Sequence, residues 1–218
     1  MFGSQLTAQD RNAGSRFVVV LDAAHGDGDT GARLSNGQTE KDYTLALSVR
    51  LRSLLMARGI AVVTTRESDA TVNPDRRAEI ANHANAQACL SLHASESGSG
   101  VHLFVSSLAP VEGARLQPWK TAQAAWVLRS LSLAGVLNAA LGHAGMTVTL
   151  GRTALPAIDS MACPAVAVEV APERTPKAQG DAQGPDGWDD PSTQARVAEA
   201  LAAAVVEWRQ EAMGARQP

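Results

Sequence analysis

Residues Val18–Asp42 read VVVLDAAHGDGDTGARLSNGQTEKD. A β-branched apolar run ends at Asp22, and a glycine-rich turn follows with His25 inside it and Glu40 at its far end. Gly26, Gly28 and Gly31 keep the G-x-G-x-x-G spacing of a dinucleotide loop, whereas His25 and Glu40 are residue types that hold metals. A dinucleotide loop needs its last glycine to open a helix whose N-terminus meets the pyrophosphate. Here Gly31 leads into ARLSNGQTE, where Asn36-Gly37 signals a turn, and helical patterning begins only near Glu40. Asp27 and Asp29 would repel a pyrophosphate, and the acidic residue expected about twenty positions further on falls inside the first helix. A calcium loop would need ligands that the Asp pattern does not supply. The stretch therefore reads as strand, wide turn and helix, the first βα unit of an α/β fold.

The same alternation continues along the chain. RFVVVLD, GIAVVTTR, ACLSLH, VHLFVSS and PAVAVEV read as strands of near-continuous apolar character, which suits a sheet covered on both faces. Lys41 to Arg58 places Leu45, Val49, Leu51, Leu54 and Leu55 on one helical stripe, with Gly59 as the stop. NPDRRAEIANHANA opens with Asn73 as N-cap and Pro74 in the first turn. WKTAQAAWVLRSLSLAGVLNAALG reads as one long helix, and PSTQARVAEALAAAVVEWRQEAM closes the chain as another. The expected fold is a single α/β domain over residues 16–213, with a mostly parallel central sheet flanked by helices on both faces. Residues 1–15 and 214–218 read as polar tails, and 171–192 as a Pro/Gly/Asp-rich loop, either a solvated connector or a substrate-facing one.

Composition narrows the function. Apolar residues make up 45% and aromatics only 4%, so Ala, Val and Leu must fill the core. A net charge of −3 gives no general attraction to nucleic acid or anionic membrane. No apolar run is long enough to span a bilayer, and the opening residues lack the apolar stretch of a secretory signal. Cys89 and Cys163 sit in apolar surroundings and read as two buried thiols, from which no compartment follows.

In open α/β sheets, ligands gather beyond the carboxyl ends of the strands. His25 follows the first strand, His93 closes ACLSLH, Glu169 closes PAVAVE, and Glu40 opens the helix that starts from that same edge. Two imidazoles and a carboxylate match an open three-ligand zinc site, leaving Glu169 as a second carboxylate able to act on bound water. Plainer readings stand beside this one: a loop histidine, a carboxylate favouring a helix N-terminus, and a core histidine. Glu169 resists such a reading, because a carboxylate ending an apolar strand is costly unless paired. His83 reads as surface or packing, nothing in the pattern matches His143 to a role, and His102 reads as core or edge although its strand could reach a groove.

These blocks together resemble the zinc-dependent N-acetylmuramoyl-L-alanine amidases of the amidase-3 type, which are cell-wall hydrolases. VVLDAAHGDGDTGA, TEKDYTLALSVRLRSLLMARGIAVVTTRESD, RRAEIANHANAQACLSLHAS and PAVAVEVAP resemble that family's blocks in the same order, over about Phe17 to Val170. The resemblance implies His25, Glu40 and His93 as ligands of one Zn2+ and Glu169 as the catalytic glutamate. It implies hydrolysis of the amide joining the lactyl group of N-acetylmuramic acid to L-alanine, with peptidoglycan or muropeptides as substrate and the periplasm or cell envelope as location. Ala23-Ala24 before His25, Asp27 after Gly26, Ala94-Ser95 after His93 and Val170-Ala171-Pro172 after Glu169 depart from the family's usual residues. None of them removes a ligand. Rival readings are a peptidoglycan-binding module of the same fold and a zinc peptidase acting on stem peptides, though the chain has no H-E-x-x-H helix. The segment LAPVEGARLQP is short and broken by proline, so a helix that masks the groove is not expected there.

Overall fold

A computed structural model describes residues 16–111, 118–172 and 191–214. Residues 1–15 and 215–218, and most of the segments 108–118 and 171–192, thus lie outside the described residues, while Gly214, expected in the C-terminal tail, is described. The expected strands appear as β1 (Val18–Ala23), β2 (Ala61–Thr64), β3 (Ala88–Ala94), β4 (Gly100–Ser106) and β6 (Ala165–Ala171). A further strand, β5 (Val148–Thr153), was not expected from the sequence. It lies at the sheet edge, and its residues are exposed or half-buried, so it lacks the apolar run that marks the others. The sheet order is β2-β1-β3-β6-β4-β5. Strands β2, β1, β3 and β6 are parallel, while β4 and β5 run together in the opposite sense, antiparallel to β6.

The reversal of β4 follows from chain length. Residues 95–99 join β3 to β4, and a parallel crossover needs about a dozen residues or more. The chain therefore turns at the carboxyl edge of β3, steps across the end of β6, and sets out backwards. As a result the first residues of β4 lie beside the last residues of β6.

Helices cover both faces. One core cluster joins the sheet to α1 (Glu40–Ala57), α3 (Val127–His143) and α5 (Pro191–Gly214). A smaller cluster on the opposite face joins Val20, Cys89, Ala165 and Ala167 to α2 (Pro74–His83) and α4 (Pro156–Asp159). The buried stripe of α1 is Tyr43, Leu47, Leu51 and Leu55, at i,i+4 spacing. Val49, expected on that stripe, is 54% exposed. Asn73 caps α2 by accepting from the Arg76 N–H at 2.8 Å, with Pro74 at the first position as expected.

The long helix expected from Trp119 is two pieces, a 3-10 segment Trp119–Ala125 and α3, bent by 65°. Buried Gln123 donates to the carbonyls of Met161 and Cys163 at 2.8 and 3.0 Å and pairs with Ser130. These bonds tie the 3-10 segment to the chain entering β6 and turn it out of line with α3. Among the described residues, no single helix is long and apolar enough to cross a membrane.

Cys89 and Cys163 are joined in a disulfide, with Cα atoms 6.3 Å apart, and are not the two free thiols expected. The reason lies in strand order. Cys89 lies near the start of β3 and Cys163 precedes β6, and these parallel neighbours pair with Cys89 opposite Ala165.

Candidate metal centre

The turn after β1 is built to bring side chains together. His25 and Asp27 have φ of 60° and 54°, an unfavourable region for residues with a Cβ. Two buried arginines hold this backbone. Arg77 donates to the carbonyls of Ala23 and His25 at 2.6 and 2.8 Å and to Asp22 Oδ1 at 2.6 Å. Arg66 donates to the carbonyls of Ala23 and Ala24, both at 2.9 Å. Backbone strain persists where the surroundings over-determine it, as these bonds do here.

Glu40 is the first residue of α1, and it is 6% exposed. Its Oε2 lies 3.0 Å from His25 Nε2, and its Oε1 lies 3.0 Å from His93 Nδ1. The backbone N–H groups of Ala32 and Ala94 donate to the same carboxylate at 2.9 and 3.2 Å. Burial pushes the Glu40 carboxyl up, but the hydrogen bonds from His25, His93 and Ala32 outweigh it and hold the group well below the usual carboxylate range. The bond to Glu40 raises the His25 pKa; burial opposes this, and Asp29 adds to it.

One donor atom from each of His25, Glu40 and His93 lies within 4.8 Å of the other two, so the residues proposed from sequence converge. Two imidazole nitrogens and a carboxylate form a donor set suited to zinc. The space is also kept clear. A Cβ on Gly31 would lie 2.5 Å from His25 Cδ2 and 2.6 Å from Glu40 Oε2, so only glycine fits against this pair. The residues present therefore fit a single metal ion.

The imidazoles are oriented from behind, and the sequence reading missed these groups. Asp29 Oδ2 accepts from His25 Nδ1–H at 2.8 Å, which leaves Nε2 for a metal. That same bond lowers the Asp29 pKa. Ser91 Oγ lies 3.3 Å from His93 Nε2 and donates to Asp22 Oδ2 at 2.8 Å, which leaves His93 Nδ1 facing Glu40. Arg77 and Thr65 complete the bonding of Asp22. From sequence Asp29 reads only as a charge hostile to phosphate; its spacing of four from His25 is the available signal.

Glu169 is the direct register partner of His93 across the β3–β6 pair. Asp22, Ser91, His93 and Glu169 thus share one face at the carboxyl edge of the parallel strands, the face of Cys89, Ala165 and Ala167. On its other side Glu169 pairs in register with His102 of β4, and His102 Nδ1 lies 3.1 Å from Glu169 Oε1. From sequence His102 reads as core or edge; the reversal of β4 brings it to Glu169. His83, on α2, bonds the Glu79 carbonyl through Nδ1 at 2.8 Å and belongs to neither group.

The family model for N-acetylmuramoyl-L-alanine amidase of the amidase-3 type matches residues 19–207. The chain belongs to this amidase family. A stretch of 84 residues is 40% identical to the N-acetylmuramoyl-L-alanine amidase AmiA of Escherichia coli, covering 38% of this chain and 29% of that protein. A stretch of 153 residues is 30% identical to the N-acetylmuramoyl-L-alanine amidase Rv3717 of Mycobacterium tuberculosis, covering 67% of this chain and 61% of that one. The chain therefore spans only part of the length of these amidases. In fold it is similar to the catalytic domain of CwlV, the N-acetylmuramoyl-L-alanine amidase of Bacillus (Paenibacillus) polymyxa. The TM-score is 0.67 at 23% identity, over 89% of this chain and 98% of that domain.

Proposed function

We propose that this domain is a zinc-dependent hydrolase of the bacterial cell envelope, cleaving the amide between the lactyl group of N-acetylmuramic acid and the L-alanine of peptidoglycan stem peptides. The observation that carries this reading is the convergence of His25, Glu40 and His93, with Glu169 in register beside His93. His25, Glu40 and His93 would hold the ion, which when bound lowers the pKa of water to about 7 and polarises a carbonyl. Asp29 and Ser91 fix which imidazole nitrogen faces the ion. Glu169 takes the proton of the attacking water and returns one to the departing alanine nitrogen. A module that only binds glycan has no use for a second carboxylate at this position, which favours the enzyme over the binder.

Glu169→Gln keeps the shape of the side chain but cannot accept the proton. It should retain about one zinc per chain while the rate falls by roughly 10²–10⁴. KM should change little, because the loss is confined to the transition state. His25→Ala and His93→Ala should lose both metal and activity. Zinc lost from Glu169→Gln would make Glu169 a ligand, and near-normal turnover would remove it from the mechanism.

A further inference from the structure

We propose that His102 is the positioning residue for Glu169, fixing one carboxylate oxygen so that the other is presented to water; this rests on the reading of Glu169 as the base. Among the described residues, the one hydrogen bond of the Glu169 side chain is with His102, Nδ1 to Oε1 at 3.1 Å. The carboxylate accepts, so the imidazole carries its proton on Nδ1. Oε2 then keeps its lone pairs for the reaction.

The imidazole is held from several directions. The His102 side chain is 14% exposed, against 29% for Glu169, so the donor is the more enclosed partner. Phe104, two residues further along β4 on the same face, meets the ring edge-on with centroids 6.3 Å apart. Gly98, at φ 84°, closes the opposite edge: a Cβ there would lie 2.0 Å from His102 Cε1 and 2.5 Å from Nε2. The chain thus spends a left-handed glycine to let the 95–99 turn lie against this ring. In-register pairing with β6 fixes the height of the ring, and Gly98 and Phe104 fix its plane. A base must hold its proton-accepting atom within hydrogen-bond reach of the water, and a misplacement of about 1 Å can cost about 10²-fold in rate.

The test compares His102→Phe, which keeps the ring packing and removes the donor, with His102→Gln, which restores an N–H near the same place. His102→Phe should retain its zinc and KM, while kcat falls about 10–100-fold; His102→Gln should recover part of that loss. In a Glu169→Gln background, His102→Phe should cause no further loss, since it acts through Glu169. In the metal-free protein, the imidazole nitrogen spectrum should show the Nδ1–H form of His102, and Glu169→Ala should change it. Wild-type kcat in His102→Phe, a full further loss in the Glu169→Gln background, or an Nε2–H form indifferent to Glu169→Ala would overturn the proposal. If Glu169→Gln itself keeps full activity, the reading of Glu169 as base fails first.

Discussion

Replacing Gly31 by alanine tests the built shape of the proposed metal centre without replacing any of the residues that would hold the ion. The added Cβ would sit 2.5 Å from His25 Cδ2, 2.6 Å from Glu40 Oε2 and 2.8 Å from Glu40 Cβ, where ordinary contact begins near 3.4 Å. One or both side chains must therefore move by about 1 Å, a displacement that can cost about 10²-fold in rate. Disturbed support of a metal ligand typically lowers affinity about 10–100-fold. Gly31 also has φ of 61°, and alanine there costs about 1–2 kcal/mol, a fall of roughly 2–8 °C in Tm for a domain of this size. Gly28, in the same turn, has open space around its Cβ position and no positive φ, so Gly28→Ala is the matched control. Zinc affinity by competition with a chromophoric chelator, turnover on muropeptides and thermal unfolding should all separate the two variants. If Gly31→Ala binds zinc and turns over as Gly28→Ala does, the centre is not confined in the way these distances imply.

Two further predictions concern Asp29, behind His25, and the disulfide between the starts of β3 and β6. Asp29→Ala removes the acceptor from His25 Nδ1 and should weaken zinc about 10–100-fold in a chelator competition, whereas His83→Ala should leave affinity unchanged; equal affinities would remove Asp29 from the site. The Cys89–Cys163 disulfide closes a separation of 74 residues, so in the chain-entropy view its reduction should cost about 4 kcal/mol. Urea unfolding with and without reductant measures this, and coincident curves would contradict it.

The first strand, the wide turn and the first helix were legible because each has a local cause. These are a continuous apolar run, an Asn-Gly turn, and periodic apolar residues ended by Gly59. The meeting of His25, Glu40 and His93 was legible because one follows a strand, one opens a helix and one closes a strand at the same edge, where Glu169 stands in register with His93. What stayed hidden depends on strand order, which local pattern does not encode. The disulfide requires β3 and β6 to be neighbours, and the His102–Glu169 pair requires β4 to run backwards. The brevity of residues 95–99 was the clue to that reversal. Strand β5 escaped because Thr149, Leu150, Arg152 and Thr153 all face solvent, so no burial pattern marks it. The break near Trp126 escaped because it is imposed by Gln123, which is bonded across space to residues 161–163.

The bond cleaved separates an amidase from a peptidase or a binder, and mass analysis of a peptidoglycan digest by the zinc-loaded protein reads it out. Wild-type protein should release intact stem peptides with a free L-alanine amine and leave glycan strands whose N-acetylmuramic acid bears a free lactyl carboxylate; Glu169→Gln should release neither. Muropeptides that keep the lactyl amide but carry shortened stems would make the protein a peptidase, and an unaltered digest from zinc-loaded protein would make it a binder.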